Sequence, residues 1–188
     1  IYNRQKDTDY ADKQISRLNH LIEDLLNVSR IAAGEFILNL VPCNMAELID
    51  EVVKSYKLHL DRFNIDINTD LDTEIIANID PIRVEQVLIN FITNAAKYAP
   101  DKPIEIKLFQ KDNIAHISVT DHGPGIKAED QERIFQRFER IKDVKNVGGL
   151  GLGLYISRQI VEAHHGKISV KSELGSGSIF SASFPLNQ

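Results

Sequence analysis

Asn90-Phe91-Ile92-Thr93-Asn94-Ala95-Ala96-Lys97-Tyr98-Ala99-Pro100 is the stretch that decides how this chain folds. It ends a helical pattern that starts at Pro81, a residue suited to a first helical position because its ring presets φ and its missing N–H has no partner to lose there. Val84, Val87, Leu88, Phe91, Ile92 and Ala95 recur at i, i+3, i+4, i+7, i+8 and i+11, which predicts one apolar face pressed on a core. Arg83, Gln86, Asn90, Asn94 and Lys97 share another stripe. A solvated helix face is normally filled with Glu, Lys and Gln, whereas Asn is a poor interior helix former. Two Asn one turn apart therefore point to a ligand. A carboxamide oxygen is a hard, neutral donor suited to a Mg²⁺ ion that keeps several waters and takes its other oxygens from phosphate. Lys97, one turn further, would meet phosphates as a point charge.

Working outward, residues 104–109 and 114–119 alternate as two strands, with Lys111, Asp112 and Asn113 as the turn between them. Asp121-His122-Gly123-Pro124-Gly125-Ile126 follows directly. As a bare turn it means little. At the end of a strand, however, the carboxylate can accept from an exocyclic amine while Gly123 and Gly125 let the chain approach a ring closely. His122 is read as a neutral bystander. After a long polar stretch, 127–147, comes Gly148-Gly149-Leu150-Gly151-Leu152-Gly153-Leu154, which opens onto a helix through Ile156, Ile160 and Ala163, with Gly166 as its stop. Free N–H groups and the helix dipole at that N-terminus attract anions, so the segment is a phosphate cradle by mechanism. It is neither a GxxxxGK[ST] loop nor a GxGxxG after a strand.

Upstream of Pro81, residues 75–79 and the alternating Ile65, Ile67 and Thr69 read as strands. Asn44 with Glu47 forms a capping-box pair for a helix through Tyr56. Phe36, Leu38 and Leu40 alternate as a further strand. Two last strands, 167–172 and 178–184, flank the turn Leu174-Gly175-Ser176-Gly177. Hairpins mixed with helices, without a strict βαβ rhythm, predict an α/β two-layer sandwich with a mixed sheet and helices on one face.

From Asp9 to Ala33 there is no Gly or Pro, and Ile15, Leu18, Ile22, Leu25, Ser29 and Ala32 fall in a heptad seam broadened by Leu21, Leu26 and Val28. This predicts a long bundle-forming helix that needs partners and is closed by Gly34. The expected division is thus 1–34 and 35–188. Across the chain of 188 residues, 43% are hydrophobic, enough for a core, and the formal net charge is −5 with scattered basic side chains. Nucleic acid is not an expected partner. A single cysteine, Cys43, excludes an internal disulfide and is read as structural. No apolar run reaches the roughly 20 residues that cross a bilayer, so no membrane contact is expected of this segment and its expected place is the cytoplasm. The start at Ile1 inside a helical pattern reads as a fragment of a longer protein.

Taken in order, 90–100, 121–125, Ile134-Phe135-Gln136-Arg137-Phe138 and 148–154 resemble the N, G1, F and G2 boxes of sensor histidine kinases. The resemblance implies a Bergerat ATP-binding fold with ATP and Mg²⁺ as ligands. It implies that Asn94 binds Mg²⁺, that Asn90 and Lys97 attend the phosphates, that Tyr98 packs on adenine and that Asp121 reads its amine. It further implies nucleotide contacts by Gly123, Gly125, Ile126, Phe138, Gly149, Leu150, Gly151, Leu152, Gly153 and Leu154. Residues of about 127–150 become an ATP lid with Phe135 and Phe138 as apolar anchors. The helix of residues 9–33 is similar to the second helix of the family's dimerisation hairpin, which implies a homodimer and a response-regulator receiver domain as partner. Two departures stand out. Nothing here fits the family's acceptor His followed by an acidic residue, since His20 precedes Leu21 and sits on the wrong helix, so no catalytic residue is assigned within the chain. Leu150 stands where many relatives carry a small hydroxyl residue.

Three functions are weighed. The first is transfer of phosphate from ATP to a histidine, with onward transfer to a regulator aspartate. The second is an ATPase of the same superfold, like gyrase or Hsp90-type chaperones, which needs a carboxylate base one turn before the Mg²⁺ asparagine. Asn90 holds that position, and an amide cannot take a proton from water. The third, a nucleotide-binding interaction module, ranks below the kinase because every expected contact type is present.

Overall fold

The computed structural model describes residues 15, 18, 21–60, 65–140 and 150–186. The chain divides into two compact units, Ile1–Ile37 and Leu38–Gln188.

In the first unit, α1 runs over residues 21–32. Gly34, at φ 71°, closes it, with Gly34 N donating to Ile31 O and Glu35 N to Arg30 O, the paired bonds of a Schellman stop. Ile15, Leu18, Ile22 and Leu25 are all exposed, so the apolar seam lies open. Residues 9–14 of the expected helix, and His20, lie outside the described residues.

The second unit contains β1 (Val41–Asn44), α2 (Met45–Leu60), β2 (Ile67–Leu71), β3 (Ile76–Ile79), α3 (Pro81–Tyr98), β4 (Ile104–Lys111), β5 (Ile114–Asp121), α4 (Gly153–Ala163), β6 (Lys167–Glu173) and β7 (Gly177–Pro185). The main sheet has the order β2-β4-β5-β7-β6, in which β2 pairs parallel with β4 and the other neighbours are antiparallel. β1 and β3 form a separate antiparallel pair. Ile104, Ile106, Leu108, Ala115, Ile117, Val119, Phe180, Ala182 and Phe184 are buried, while their neighbours along the strands are more exposed. The helices cover that one buried face, as expected of a two-layer mixed-sheet sandwich.

α3 buries all six residues of its predicted apolar face, and the Phe91 and Phe180 rings meet at 5.6 Å. Truncating a buried ring such as Phe91 costs about 3–5 kcal/mol. The β4–β5 turn places Asp112 and Asn113 at φ 50° and 61°, the type I′ geometry that matches the strand twist. Asn44 caps α2, its Oδ1 accepting from Ala46 N at 3.0 Å and Glu47 N at 3.3 Å while its Nδ2 donates to Glu47 Oε1 at 3.2 Å. α2 continues to Leu60, past the expected end at Tyr56.

Two local expectations fail. Residues 35–40 carry no regular structure, and the first strand begins only at Val41. Its partner β3 is spent on the register Val41↔Ile79 to Asn44↔Ile76, and next comes Asp80, whose Oδ2 takes the Asn39 N–H at 2.9 Å. A longer strand would have no ladder to join. α4 is stopped by His165, at φ 56°, rather than by Gly166: His165 N donates to Glu162 O and Gly166 N to Val161 O. Gly166 is required for space, because a Cβ there would collide with Ser183 O.

Candidate functional site

The site is built where α3, the end of β5 and the start of α4 come together. Asp80 caps α3, accepting from Arg83 N at 3.2 Å, and Pro81 follows it. This fixes the phase of the helix and hence the direction of its Asn stripe. Asn90 and Asn94, one turn apart, share a face. Asn94 Nδ2 donates to Asn90 Oδ1 over a long 3.4 Å, and Asn90 Nδ2 donates to the Ser157 hydroxyl at 2.9 Å. With its nitrogen turned to Asn90, Asn94 directs Oδ1 away from it. Among the described residues no group of three or more His, Cys, Asp or Glu side chains could hold a metal ion. A divalent ion at this site would rest on Asn94 Oδ1 and on oxygens from water and substrate. That sparse, hard, neutral donor set fits Mg²⁺.

The end of β5 lies beside the last turn of α3. Gly123 makes this approach possible, since a Cβ there would lie 2.9 Å from both Asp121 Oδ1 and Tyr98 O. Tyr98 is half-buried, and burial pushes its phenol pKa up against the opposing pull of Arg140. Lys97 Nζ stands 5.0 Å from the Tyr98 ring centroid. Asp121 is buried and accepts from Gly123 N at 2.9 Å. Burial raises its carboxyl pKa, offset in part by hydrogen bonds from the Gly123 and Ser178 backbones, the Ser178 hydroxyl and the nearby His122. An ionised carboxylate held away from water retains capacity for a further donor. Gly123 thus brings the Tyr98 backbone and the buried Asp121 carboxylate close together.

The loop after β5 is stitched to the β6–β7 turn. Ile126 N donates to Ser172 Oγ at 2.7 Å, Ser172 Oγ donates to Gly177 O at 2.7 Å, and Gly175 N donates to Pro124 O at 2.8 Å. Gly125, at φ 73°, and Gly177, at φ 90°, are both obligatory, because a Cβ would collide with Glu173 O in the first case and Asp121 O in the second. Sequence reading missed Ser172 and this brace, although the two glycines of the final turn were a signal. The Ile126 side chain is buried.

Beyond the loop, two 3-10 turns, Ala128–Asp130 and Arg133–Phe135, are anchored by buried Ile134 and Phe135 and by Gln131 Nε2, which donates to Ser172 O at 2.8 Å and to Ile126 O at 3.1 Å. Phe138 is not the second anchor that was expected. It sits at φ 63° with its N–H donating to Gly151 O at 3.1 Å, and its ring is 57% exposed, within 5.6 Å of the Arg137 guanidinium. The left-handed backbone at Phe138 carries the ring away from the core. Residues 141–149, including Gly148 and Gly149, lie outside the described residues.

Gly151, at φ 71°, leads into α4, whose N-cap Leu152 offers no side-chain bond and whose first turn carries no acidic residue. Among the described residues no side chain caps α4, and amides at a helix start of this kind suit an anion. Leu150 is exposed and Leu154 half-buried, whereas Leu152 buries its side chain and could meet a ligand only through its backbone. Gly153 faces Asn90, whose amide occupies the space a Cβ would take. Ser157, one turn on and 1% exposed, was not singled out by sequence, nor was His164. His164 is fully buried, with Nδ1 2.8 Å from Ile160 O and Nε2 accepting from Asp80 N at 2.9 Å, tying the end of α4 to the start of α3.

Residues 79–188 match the family model described as histidine kinase-, DNA gyrase B-, and HSP90-like ATPase. The chain belongs to that ATPase family. Within the family, its resemblance is to the sensor histidine kinases. Adaptive-response sensory kinase SasA of Synechococcus sp. (strain JA-2-3B'a(2-13)) is 33% identical over 184 residues, covering 95% of this chain and 48% of that protein. The chain therefore spans about half the length of that curated relative. Among solved structures, Acinetobacter baumannii histidine kinase AdeS is similar with a TM-score of 0.79 at 28% identity, covering 94% of this chain and 82% of that one. Histidine kinase ThkA in complex with response regulator protein TrrA gives a TM-score of 0.72 at 29% identity, covering 90% of this chain and 49% of that one. The α/β sandwich of this histidine kinase-, gyrase B- and HSP90-like ATPase is accordingly that of histidine kinase catalytic domains. No helix among the described residues is long and apolar enough to cross a membrane.

Proposed function

We propose that this chain is the phosphate-donor site of an ATP-dependent protein-histidine kinase in two-component signalling. The observation that carries the proposal is the convergence of the Asn90–Asn94 pair, the approach of Tyr98 and Asp121 across Gly123 and the start of α4, which no side chain caps among the described residues. Asp121 accepts from the adenine amine and Tyr98 packs on the ring, while Gly123, Gly125 and Ile126 shape the pocket beside them. Asn94 Oδ1 holds Mg²⁺, which when bound neutralises phosphate charge. Asn90 and Lys97 attend the phosphates. Residues 149–154 offer backbone amides to the phosphate tail, and exposed Phe138 closes over it with the lid.

An imidazole Nε2 attacks the γ-phosphorus, the bond from that phosphorus to the bridging oxygen of the β-phosphate breaks, and ADP leaves. Positioning and charge neutralisation supply most of the acceleration. None of the six histidines is followed by an acidic residue, so the acceptor comes from other sequence. Hydrolysis by a gyrase-like route is disfavoured because Asn90, at the position of the base, donates its amide to Ser157. The open heptad seam of the first unit supports a homodimer built through that helix. The ThkA structure was solved with a response regulator, which supports a receiver domain as the next phosphate acceptor. ATP as donor supports a cytoplasmic position for this segment.

With labelled ATP, the chain alone should take up no label, but should phosphorylate a separate polypeptide carrying the acceptor helix. Label on His20, or release of inorganic phosphate without transfer, would overturn the proposal.

A further inference from the structure

We infer that Ser157 is a positioning residue for the Asn94 carboxamide, acting through Asn90. The inference rests on the reading of Asn94 as the Mg²⁺ ligand. Four positions form a square between two helices. Asn90 and Asn94 are one turn apart on α3, and Gly153 and Ser157 are one turn apart on α4. The Asn90 amide is boxed on three sides. Its Nδ2 donates to Ser157 Oγ at 2.9 Å, its Oδ1 accepts from Asn94 Nδ2 at 3.4 Å, and it fills the space a Cβ on Gly153 would take. Gly153 has no positive φ, so it is required for room and not for backbone conformation.

The direction of the relay follows from donor chemistry. A carboxamide has one donating and one accepting end. In the observed arrangement the Ser157 hydroxyl, 1% exposed on the inner face of α4, gives Nδ2 of Asn90 its buried acceptor and leaves Oδ1 of Asn90 to Asn94. Asn94 then answers with Nδ2, and its own Oδ1 faces outward. Without the serine oxygen, Asn90 can flip and present Nδ2 to Asn94. Asn94 would flip in turn and offer an N–H where the cation needs an oxygen. Substitution of groups that orient a metal ligand typically weakens metal affinity 10–100-fold. The long Asn90–Asn94 bond places this case at the lower end.

The test has two readouts. In nucleotide-free protein, Ser157→Ala should move the side-chain amide ¹H–¹⁵N signals of both Asn90 and Asn94, whereas Ser157→Thr, which keeps the oxygen, should leave Asn94 near its wild-type shift. By calorimetry, Ser157→Ala should lower ATP affinity about tenfold with Mg²⁺, clearly less in EDTA, and clearly less once Asn94→Ala is present. Unmoved Asn94 signals, or equal losses with and without Mg²⁺, would overturn the inference. Should wild-type protein bind ATP equally with and without Mg²⁺, the metal role of Asn94 falls, and the nucleotide-free spectra still judge the relay.

Discussion

Lowering the pH from about 7.5 to about 5.5 should weaken the fold in part through His164. Its Nε2 accepts the Asp80 N–H, and its Nδ1 lies 2.8 Å from the Ile160 carbonyl, a pairing that only the neutral Nδ1–H tautomer satisfies. Burial depresses its pKa, His165 adds to the depression, and the Ile160 carbonyl and Asp80 oppose it. The sign follows from linkage. In the unfolded chain the imidazole binds its proton near the ordinary value of 6.5, and in the folded chain only at lower pH. Below 6.5 the unfolded state therefore holds more protons, and stability falls as pH falls. One unit below that value the cost is at most about 1.4 kcal/mol, the ceiling reached when the folded imidazole takes up no proton, against at most about 0.1 kcal/mol one unit above it. His116, whose pKa is also lowered mainly by burial, acts in the same direction, so the effect must be isolated by difference. Urea unfolding of wild type and His164→Gln at both pH values provides it. The wild type should lose more than the variant between the two conditions, by no more than about 1.3 kcal/mol. Equal losses would refute the neutral, doubly bonded imidazole, whatever the variant's absolute stability.

Asp121→Asn should weaken ATP far more than it weakens binding of inorganic triphosphate; equal losses in competition titrations would count against an adenine contact. Glu at both Leu18 and Leu25, which are exposed on the helical seam, should lower the association state in sedimentation equilibrium without changing the melting of the second unit. An unchanged association state would remove that seam as the dimer contact.

The apolar face of α3 and the Asp112–Asn113 turn were legible because each depends on local periodicity or local φ alone. The order β2-β4-β5-β7-β6 was not, since the parallel pairing of β2 with β4 joins segments separated by β3 and α3. Phe36, Leu38 and Leu40 alternate like a strand but meet no free ladder, because the short β3 gives way to Asp80 and the α3 cap. Of the site, Asn90, Asn94 and Asp121 were named from residue type and position and Tyr98 from the family resemblance, and they lie on adjoining elements. Ser157 and His164 were invisible for an opposite reason. A serine inside a helix and one of six histidines carry no pattern, and their roles depend on α3 lying against α4. The resemblance implied Phe138 as an anchor, whereas its left-handed backbone turns the ring outward.

The central claim is that Asn94 and its neighbours hold Mg·ATP. Calorimetric titration of ATP into wild type and Asn94→Ala, each with Mg²⁺ and with EDTA, tests it most directly. The account predicts that wild type binds more tightly with Mg²⁺, and that the variant loses this advantage while keeping its fold. A variant that binds Mg·ATP as wild type does would contradict it.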